Sequence, residues 1–301
     1  MSKMQRNGKI RYFSAFAGIG GFEAAIQRVF PGAVCVGYSE IDPGAIKIYE
    51  KHYPKHKNFG DITKIKIADL PKFDLLVGGS PCQDLSRAKM NREGLKGSRS
   101  GLFYTWAKII KQRKPKYFLL ENVASMMRPE RDIISKILGV EPVMVDAQLV
   151  SAQQRARLFW ANFPITQPRD RGILLKDILE SGYTEREKSY HIGASYNNWS
   201  VKNYFGTRRR QLVFLKPVRV ELLPGRVKIF HVGGERIAIE DFKKLAKYVR
   251  TLTITEIERL QGFKKGYTSG SPKTTSITGL GNAVNVDVIA HIMSCLKKKI
   301  A

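Results

Sequence analysis

The sequence is poor in acidic residues, in cysteine and in long apolar runs. Asp and Glu number 26 against 52 Lys and Arg, which gives a formal net charge of +26. Three cysteines, Cys35, Cys82 and Cys295, are too few and too widely spaced for a disulfide framework or a zinc site. No apolar run reaches the roughly 20 residues of a membrane helix. We therefore expect a cytoplasmic protein that uses no membrane and binds a polyanion, with nucleic acid as the first candidate.

The chain is predicted to have two lobes. Before residue 165, apolar β-rich runs at 12–16, 33–38, 73–77, 117–120, 143–149 and 158–161 alternate with helical spacing at 21–30, 43–52, 102–112 and 131–138. This pattern is typical of an α/β fold with a mainly parallel sheet. We predict a catalytic and cofactor-binding domain at 1–164, a smaller lobe at 165–250 where the alternation fades, and a helical segment at 251–301 that returns to the first domain. In that last segment, Thr253 and Glu256 have the spacing of a capping box.

A glycine-rich loop follows the first predicted strand, where residues 16–21 read FAGIGG. A dinucleotide fingerprint would have glycine where this chain has Glu23, so a nucleoside without phosphates fits better. Glu40 ends the second predicted strand and could bind ribose hydroxyls, and Asp61, where we expect a third strand to end, could accept from an adenine amino group. Taken singly, the glycines also suit a turn without ligand, and either acid suits an ordinary cap.

Four further residues carry reactive or charged side chains beside buried strands. Cys82 lies on a Gly/Pro-shaped loop after a buried strand, where chemistry collects in open α/β sheets. Glu121 ends another buried strand and could act there as an acid. Arg155 and Arg157 are two residues apart, so on an extended chain their guanidinium groups could converge on one site. Each could instead be structural or solvated.

These segments together resemble a known family. The runs FAGIGG (16–21), PCQ (81–83), ENV (121–123), QxRxR (153–157) and GNAV (281–284) occur in the order and spacing of the cytosine-C5 DNA methyltransferases, over nearly the whole length. The sequences of residues 79–86 and 146–151 are similar to those of the subgroup that contains the de novo DNA methyltransferases of vertebrates. The chain has none of their chromatin-reading domains, which suits a bacterial or phage enzyme.

The resemblance implies a Rossmann-like S-adenosylmethionine-dependent methyltransferase fold with a target-recognition lobe, and a reaction that needs no metal. Cys82 would attack C6 of a flipped cytosine, Glu121 would hold N3 and the exocyclic amino group, and Arg157, helped by Arg155, would contact the O2 side. The methyl group would then pass from S-adenosylmethionine to C5, which leaves S-adenosylhomocysteine as product.

The resemblance also implies which residues hold the methyl donor. The methionine side would lie on the glycine loop, the ribose on Glu40, and the adenine on Asp61 and Ile62. Ile41 departs from relatives that place an aromatic ring against adenine, which predicts less stacking. The full predicted set is Phe16, Gly18, Ile19, Gly20, Gly21, Glu40, Ile41, Asp61, Ile62, Pro81, Leu102, Asn282 and Val284.

Access to cytosine C6 requires that the base leave the duplex stack. We expect the segment 85–101, rich in Ser, Arg, Lys and Gly, to close over the flipped nucleotide. The lobe at 165–250 would read the major groove of double-stranded DNA, with Trp199 and Tyr204 near its cationic cluster. The candidate DNA contacts are Ser86, Arg87, Arg99, Arg208, Arg209 and Arg210. The family also implies a monomer and a possible cognate restriction endonuclease.

Two alternatives retain the same fold. An RNA cytosine-C5 methyltransferase would use identical chemistry, and the net charge suits either polymer. A non-catalytic DNA-binding relative would also suit the charge, although such a protein has no need of the thiol of Cys82. A nicotinamide-dependent oxidoreductase is disfavoured by Glu23 in the glycine loop.

Overall fold

The computed structural model describes residues 9–81, 101–196, 210–224 and 228–301, apart from the side chain of Phe242. The chain forms two compact units. The first unit comprises the described parts of Met1–Asp146, Ala156–Pro168 and Val284–Ala301, and the second those of Ala147–Arg155 and Arg169–Ala283. The assignment of 165–250 to target recognition stays a prediction.

A mainly parallel sheet forms the centre of the first unit. Its strands are β1 (Arg11–Ala15), β2 (Val34–Ser39), β3 (Leu75–Gly79), β4 (Tyr117–Val123), β5 (Val143–Asp146) and β6 (Ala156–Ala161). They are ordered β2-β1-β3-β4-β6-β5. Pairing is parallel from β2 through β1 and β3 to β4, whereas β6 is antiparallel to both β4 and β5. The predicted α/β architecture with a mainly parallel sheet is therefore confirmed.

Helices flank this sheet: α1 (Gly21–Val29), α2 (Pro43–His52), α3 (Leu102–Arg113), α4 (Arg128–Leu138) and α9 (Val286–Ile300). Asp42 caps α2, since its side chain accepts from the backbone N–H of Ala45. Pro43 is the first residue of the helix, where its missing backbone N–H leaves no helical hydrogen bond unmade. Helix α9 packs on α1, and Arg28 forms a 2.7 Å ion pair with Asp287. The last segment thus returns to the first unit from residue 284 onward.

Successive side chains of β1 point alternately to the two faces of the sheet, and both faces are buried. Phe13 and Ala15 belong to the main apolar cluster, which also contains Trp106 of α3 and Trp160 of β6. Tyr12 and Ser14 face the opposite side and are equally buried. Burial of large side chains on both faces explains why these strands read as continuous apolar runs.

The second unit contains two small antiparallel sheets. One is β7 (Leu212–Phe214) paired with β11 (Val249–Thr251), and the other consists of β8 (Val218–Leu222), β9 (Lys228–Val232) and β10 (Glu235–Ala238). Short helices α5 (Leu175–Ile178), α6 (Phe242–Ala246), α7 (Ile254–Leu260) and α8 (Lys273–Asn282) complete it. The predicted capping box is confirmed, because Thr253 and Glu256 exchange side chain to backbone hydrogen bonds at the start of α7.

The edge strand β5 is short and partly covered. It has four residues, and Met144 within it is 57% exposed. The side-chain amide of Gln167 donates to the backbone carbonyl of Met144 at 2.8 Å. One outward carbonyl of this edge is therefore already satisfied.

Among the described residues, one stretch, Lys273–Ile300, has the length and hydropathy of a membrane span. It comprises two helices, α8 and α9, and 72% of its most apolar window is buried inside the protein. These are the properties of core helices.

The core position of Leu76 on β3 predicts a clear stability difference. Leu76 is fully buried, so Leu76→Ala should lower the free energy of unfolding by about 2–5 kcal/mol. Met144→Ala, at the exposed edge of the same sheet, should cost less than about 1 kcal/mol. Urea unfolding followed by near-ultraviolet circular dichroism measures both, and equal losses would contradict the assigned core.

Candidate active site

The glycine loop turns sharply where β1 ends. Phe16, Gly18 and Gly20 all have positive φ angles, at 55°, 56° and 92°. Gly20 then precedes the first turn of α1 without any side-chain cap. A Cβ at Gly18 would meet nothing within 4 Å, so that side of the loop is open. The predicted strand, turn and helix are therefore confirmed, and Gly18 is partly buried at the turn.

Glu40 fixes this loop from the end of β2. Its carboxylate accepts the backbone N–H of Gly18 at 2.8 Å through Oε2, and those of Ile41 and Asp42 at 2.8 and 2.9 Å through Oε1. Asn58 holds the backbone of Glu40 from the other side, since it accepts from its N–H at 3.3 Å and donates to its carbonyl at 3.1 Å. The acid is thus oriented by the backbone, and Ile41 beside it is 66% exposed.

Asp61 does not end a strand, contrary to our expectation. It precedes a short 3₁₀ turn at Ile62–Lys64, and the third strand of the sheet, β3, begins only at Leu75. Asp61 Oδ1 accepts from the N–H and the hydroxyl of Thr63, and the hydroxyl bond holds the pKa of the Asp61 carboxyl below its usual value. Ile62 next to it is buried. An acid that caps a turn and an acid that ends a strand have the same local sequence pattern.

Glu121 and Arg157 form an ion pair at the carboxyl edge of the sheet. Arg157 Nε lies 2.8 Å from Glu121 Oε1, and the two side chains are 18% and 13% exposed. Glu121 stands opposite Gly79 in the β3–β4 pairing. A Cβ at Gly79 would lie 2.9 Å from Glu121 Oε2 and 3.9 Å from Val284 Cγ1. Glycine at this position leaves room for the carboxylate.

Asn122 ties the end of β4 to the loop after β3. Its fully buried amide donates to the hydroxyl and the carbonyl of Ser80 at 3.0 and 3.3 Å, and it accepts the N–H of Val123 at 2.8 Å. Ser80 and Pro81 lead directly to Cys82. The neighbour of Glu121 therefore holds the backbone that enters the cysteine loop.

Several predicted residues lie outside the described residues. Cys82 is one of them, as are Ser86, Arg87, Arg99, Arg208 and Arg209, together with Trp199 and Tyr204. Arg210 is described and is partly buried. The loop predicted at 85–101 is described only at Gly101.

Arg155 does not share the environment of Arg157. Residue 155 precedes β6 rather than lying on it, so the two side chains do not alternate as on one strand. The guanidinium of Arg155, 5% exposed, donates to the carbonyls of Ile192, Gly281 and Ala283 at 2.9, 3.1 and 2.8 Å, all within the second unit. The expected convergence of the two arginines is wrong, because these carbonyls hold one of them in the interior.

The remaining predicted donor contacts lie at described positions. Pro81 is partly buried, Leu102 is the first residue of α3, and Val284 lies beside Gly79 in the first unit. Asn282 is exposed at the end of α8 in the second unit. In the glycine loop, Ile19, Gly20 and Gly21 are buried.

Sequence reasoning missed the partners that orient these groups. Asn58 gave only the weak signal of an Asn-x-Gly turn, and nothing in the sequence pairs it with Glu40, which lies 18 positions away. The bond from Asn122 to Ser80 spans 42 positions. Such contacts depend on which strands are neighbours.

The chain belongs to the C-5 cytosine-specific DNA methylase family, whose sequence profile matches residues 10–164 and 160–298. It is 37% identical over 222 residues to the orphan methyltransferase M.SPRI of Bacillus phage SPR, a match that covers 68% of this chain and 50% of that protein. It is 28% identical to the type II methyltransferase M.NlaX of Neisseria lactamica, covering 94% of each chain. The chain spans about half or less of the length of the first curated relatives that it matches.

Solved structures show the same fold. The methyltransferase EhMeth of Entamoeba histolytica superposes with a TM-score of 0.73 at 17% identity, covering 98% of this chain and all of that one. The S. pombe Dnmt2 methyltransferase gives 0.67 at 18% identity, covering 97% of this chain. The predicted Rossmann-like methyltransferase fold is thereby confirmed.

The environment of Arg155 predicts a structural phenotype for its replacement. Arg155→Met should lower the free energy of unfolding by about 3 kcal/mol or more, since each buried carbonyl left without a donor costs about 1–3 kcal/mol. Arg236→Met, at an exposed position of β10, should change it by about 0.5 kcal/mol or less. Urea unfolding is the measurement. A stable but inactive Arg155→Met protein would return this residue to direct catalysis.

Proposed function

We propose that this protein is a DNA (cytosine-5-)-methyltransferase, which transfers a methyl group from S-adenosylmethionine to C5 of a flipped cytosine in double-stranded DNA through a covalent Cys82 adduct. The observation that carries the proposal is the ion pair between Glu121 and Arg157. Glu121 lies opposite Gly79, which belongs to the strand that leads to Pro81 and Cys82. An acid and a cation close to the end of this strand support the proposal, because the family resemblance gives both residues roles on the cytosine.

The residues at the ends of β1 and β2 fit a nucleoside methyl donor. Glu40 is fixed by three backbone donors and keeps acceptor capacity for ribose hydroxyls, while Gly18 leaves open space and exposed Ile41 offers an apolar contact to adenine. Asp61 and Ile62 would bind the adenine edge, and Phe16, Pro81, Leu102, Asn282 and Val284 would complete the wall. S-adenosylmethionine supplies an electrophilic methyl group when bound.

The chemistry on cytosine would be carried by this chain's own groups. As the thiolate of Cys82 forms a bond to C6, the C5–C6 double bond opens and Glu121 passes a proton to N3, so that an electron pair becomes available at C5. Arg157, paired with Glu121, would stabilise the resulting carboxylate and contact the O2 side of the base. After C5 takes up the methyl group, water accepts the C5 proton, the C5–C6 double bond re-forms with expulsion of the Cys82 thiolate, and N3 returns its proton to Glu121.

Arg155 enters this proposal as a positioning residue. Its bonds to the carbonyls of Gly281 and Ala283 hold the GNAV segment, which contributes Asn282 and Val284 to the proposed donor site. It therefore supports the reaction through the backbone rather than through the cytosine.

The DNA contacts are proposed from charge and family. The net charge of +26 suits the phosphate backbone, and the lobe at 165–250, with Arg208, Arg209 and Arg210, would select sequence. Ser86, Arg87 and Arg99 would lie on the loop that closes over the flipped base. The enzyme would act as a monomer in the cytoplasm of a bacterial or phage-infected cell, alone or beside a restriction endonuclease.

Replacement of the proposed nucleophile tests the proposal directly. Cys82→Ser should abolish transfer of labelled methyl groups to DNA, because a serine hydroxyl is a far weaker nucleophile, while calorimetric binding of S-adenosylhomocysteine persists. Cys295→Ser is the matched control and should keep wild-type turnover. Trapping on a 5-fluorocytosine oligonucleotide should yield a mass adduct at Cys82, and retained turnover by Cys82→Ser would exclude its role.

The same assay with transfer RNA in parallel separates the two polymers. Methyl transfer to RNA alone would establish the RNA alternative. Binding of DNA without transfer by the wild-type protein would establish the non-catalytic relative.

The proposed phosphate contacts predict steep salt dependence. If about 6–10 phosphates are neutralised, DNA affinity should fall by about 10³–10⁵ between 50 and 200 mM salt. Binding of S-adenosylhomocysteine over the same range serves as the control and should stay nearly constant. Fluorescence anisotropy measures the DNA affinity, and a flat salt profile would contradict backbone recognition.

A further inference from the structure

A buried polar cluster lies behind the glycine loop. Glu23, in the first turn of α1, is fully buried and sits three residues after Gly20. Tyr12 and Ser14 of β1 are also fully buried, on the strand face turned away from the main apolar core. A carboxyl group is thus enclosed between the first strand and the helix that begins at the loop.

One hydrogen-bonded path connects Glu23 with the surface. The hydroxyl of Tyr49, on α2, donates to Glu23 Oε1 at 3.1 Å and lies 2.9 Å from Nδ1 of His56. His56 is partly exposed. A proton can therefore reach Glu23 through Tyr49 without passing the glycine loop.

The carboxyl group has no counterion among the described residues. Its polar neighbours are the Ser14 hydroxyl, the backbone N–H of Glu23 and the Tyr49 hydroxyl, which stabilise a carboxylate by hydrogen bonding alone. No described Lys or Arg forms an ion pair with Glu23. A carboxylate in this place would be a buried charge without a counterion, which is costly, whereas a neutral acid can remain.

The titratable groups around Glu23 are weak acids or neutral bases. From β1 and β2 these are Tyr12, Cys35 and Tyr38, and burial raises the pKa of Cys35 to about 12. From α2, Tyr49 contacts the carboxyl group, and His56, whose pKa is lowered by burial, contacts the hydroxyl of Tyr49. Helix α9 directs Asp287 to Arg28, at the far end of α1. Burial raises the pKa of Glu23 to about 7.

We propose that Glu23 is a positioning residue for the methyl-donor loop, and that it holds the start of α1 as an uncharged acid whose ionisation weakens donor binding. The proposal rests on the proposed function, since it concerns the same donor site. If the Glu23 carboxyl group ionised, either water would enter to solvate the charge or the start of α1 would shift toward it. Gly20 and Gly21 belong to that helix start, so the loop would lose its binding geometry.

The test is calorimetric binding of S-adenosylhomocysteine between pH 6 and 8.5, without DNA. Wild-type affinity should fall above pH 7, approaching about tenfold per pH unit, and binding at pH 8 should take up close to one proton. The amide of Glu23→Gln can donate and accept hydrogen bonds, like the neutral acid, but cannot ionise. The affinity of this variant should therefore decline with pH only to the extent that deprotonation of the ligand's own amino group weakens binding. Glu50→Gln, at an exposed position of α2, is the matched control and should behave as wild type.

Two further measurements keep the test independent of any single variant. Tyr49→Phe removes the hydroxyl that stabilises the carboxylate, so the midpoint of the wild-type decline should move to higher pH. In the unfolded chain Glu23 has an ordinary pKa, whereas the folded protein keeps its proton to about pH 7. The unfolding free energy of the wild type should therefore fall relative to Glu23→Gln between about pH 4.5 and 7, then level off.

The outcomes are distinguishable. Failure of the wild type to bind S-adenosylhomocysteine at any pH would overturn the proposed function. Tight binding that is constant with pH, that strengthens above pH 7, or that declines equally in Glu23→Gln would overturn the role of Glu23. An unmoved midpoint in Tyr49→Phe would do the same.

Discussion

The pairing of Gly79 with Glu121 across parallel strands β3 and β4 is the constraint on which the site depends. Parallel strands bring their carboxyl ends to one edge, so an acid from β4 meets the loop that leaves β3. The glycine has no side chain to occupy the space that the carboxylate fills. Strand β6 runs the other way, and its first residues therefore supply Arg157 to the same edge. The catalytic proposal follows from this local register.

Much of the first unit could be predicted from the sequence. Two-sided burial makes residues 75–77 of β3 and 117–120 of β4 apolar, and Pro43 marks the start of α2 through local chemistry that needs no knowledge of the fold. In the second unit, Thr253 marks the start of α7 in the same way. The glycine loop was recognisable because positive φ angles at Gly18 and Gly20 demand that residue type. Predicted boundaries differ from the observed ones by up to three residues, as at β5, where residues 147–149 form a 3₁₀ turn instead of continuing the strand.

The failures have a common physical origin. Asp61 and Arg155 both carried side chains typical of ligand sites, yet the first caps a 3₁₀ turn and the second satisfies backbone carbonyls more than 30 positions away. A cap and a strand end, or a buried and an exposed arginine, look alike until distant segments are neighbours. The same holds for Glu23, whose position in the sequence indicates only that a phosphate is disfavoured at the glycine loop. Its burial between β1 and α2 could not be predicted from the local sequence.

The capped edge of β5 bears on how the protein behaves at high concentration. Open sheet edges invite strands of other molecules, and such pairing is a route to aggregation. Of the two edge strands of the central sheet, β5 is the shorter, with four residues against six in β2, and the amide of Gln167 occupies the carbonyl of Met144 that an incoming strand would need. The β5 edge can thus expose an apolar methionine while offering little template for intermolecular β-pairing.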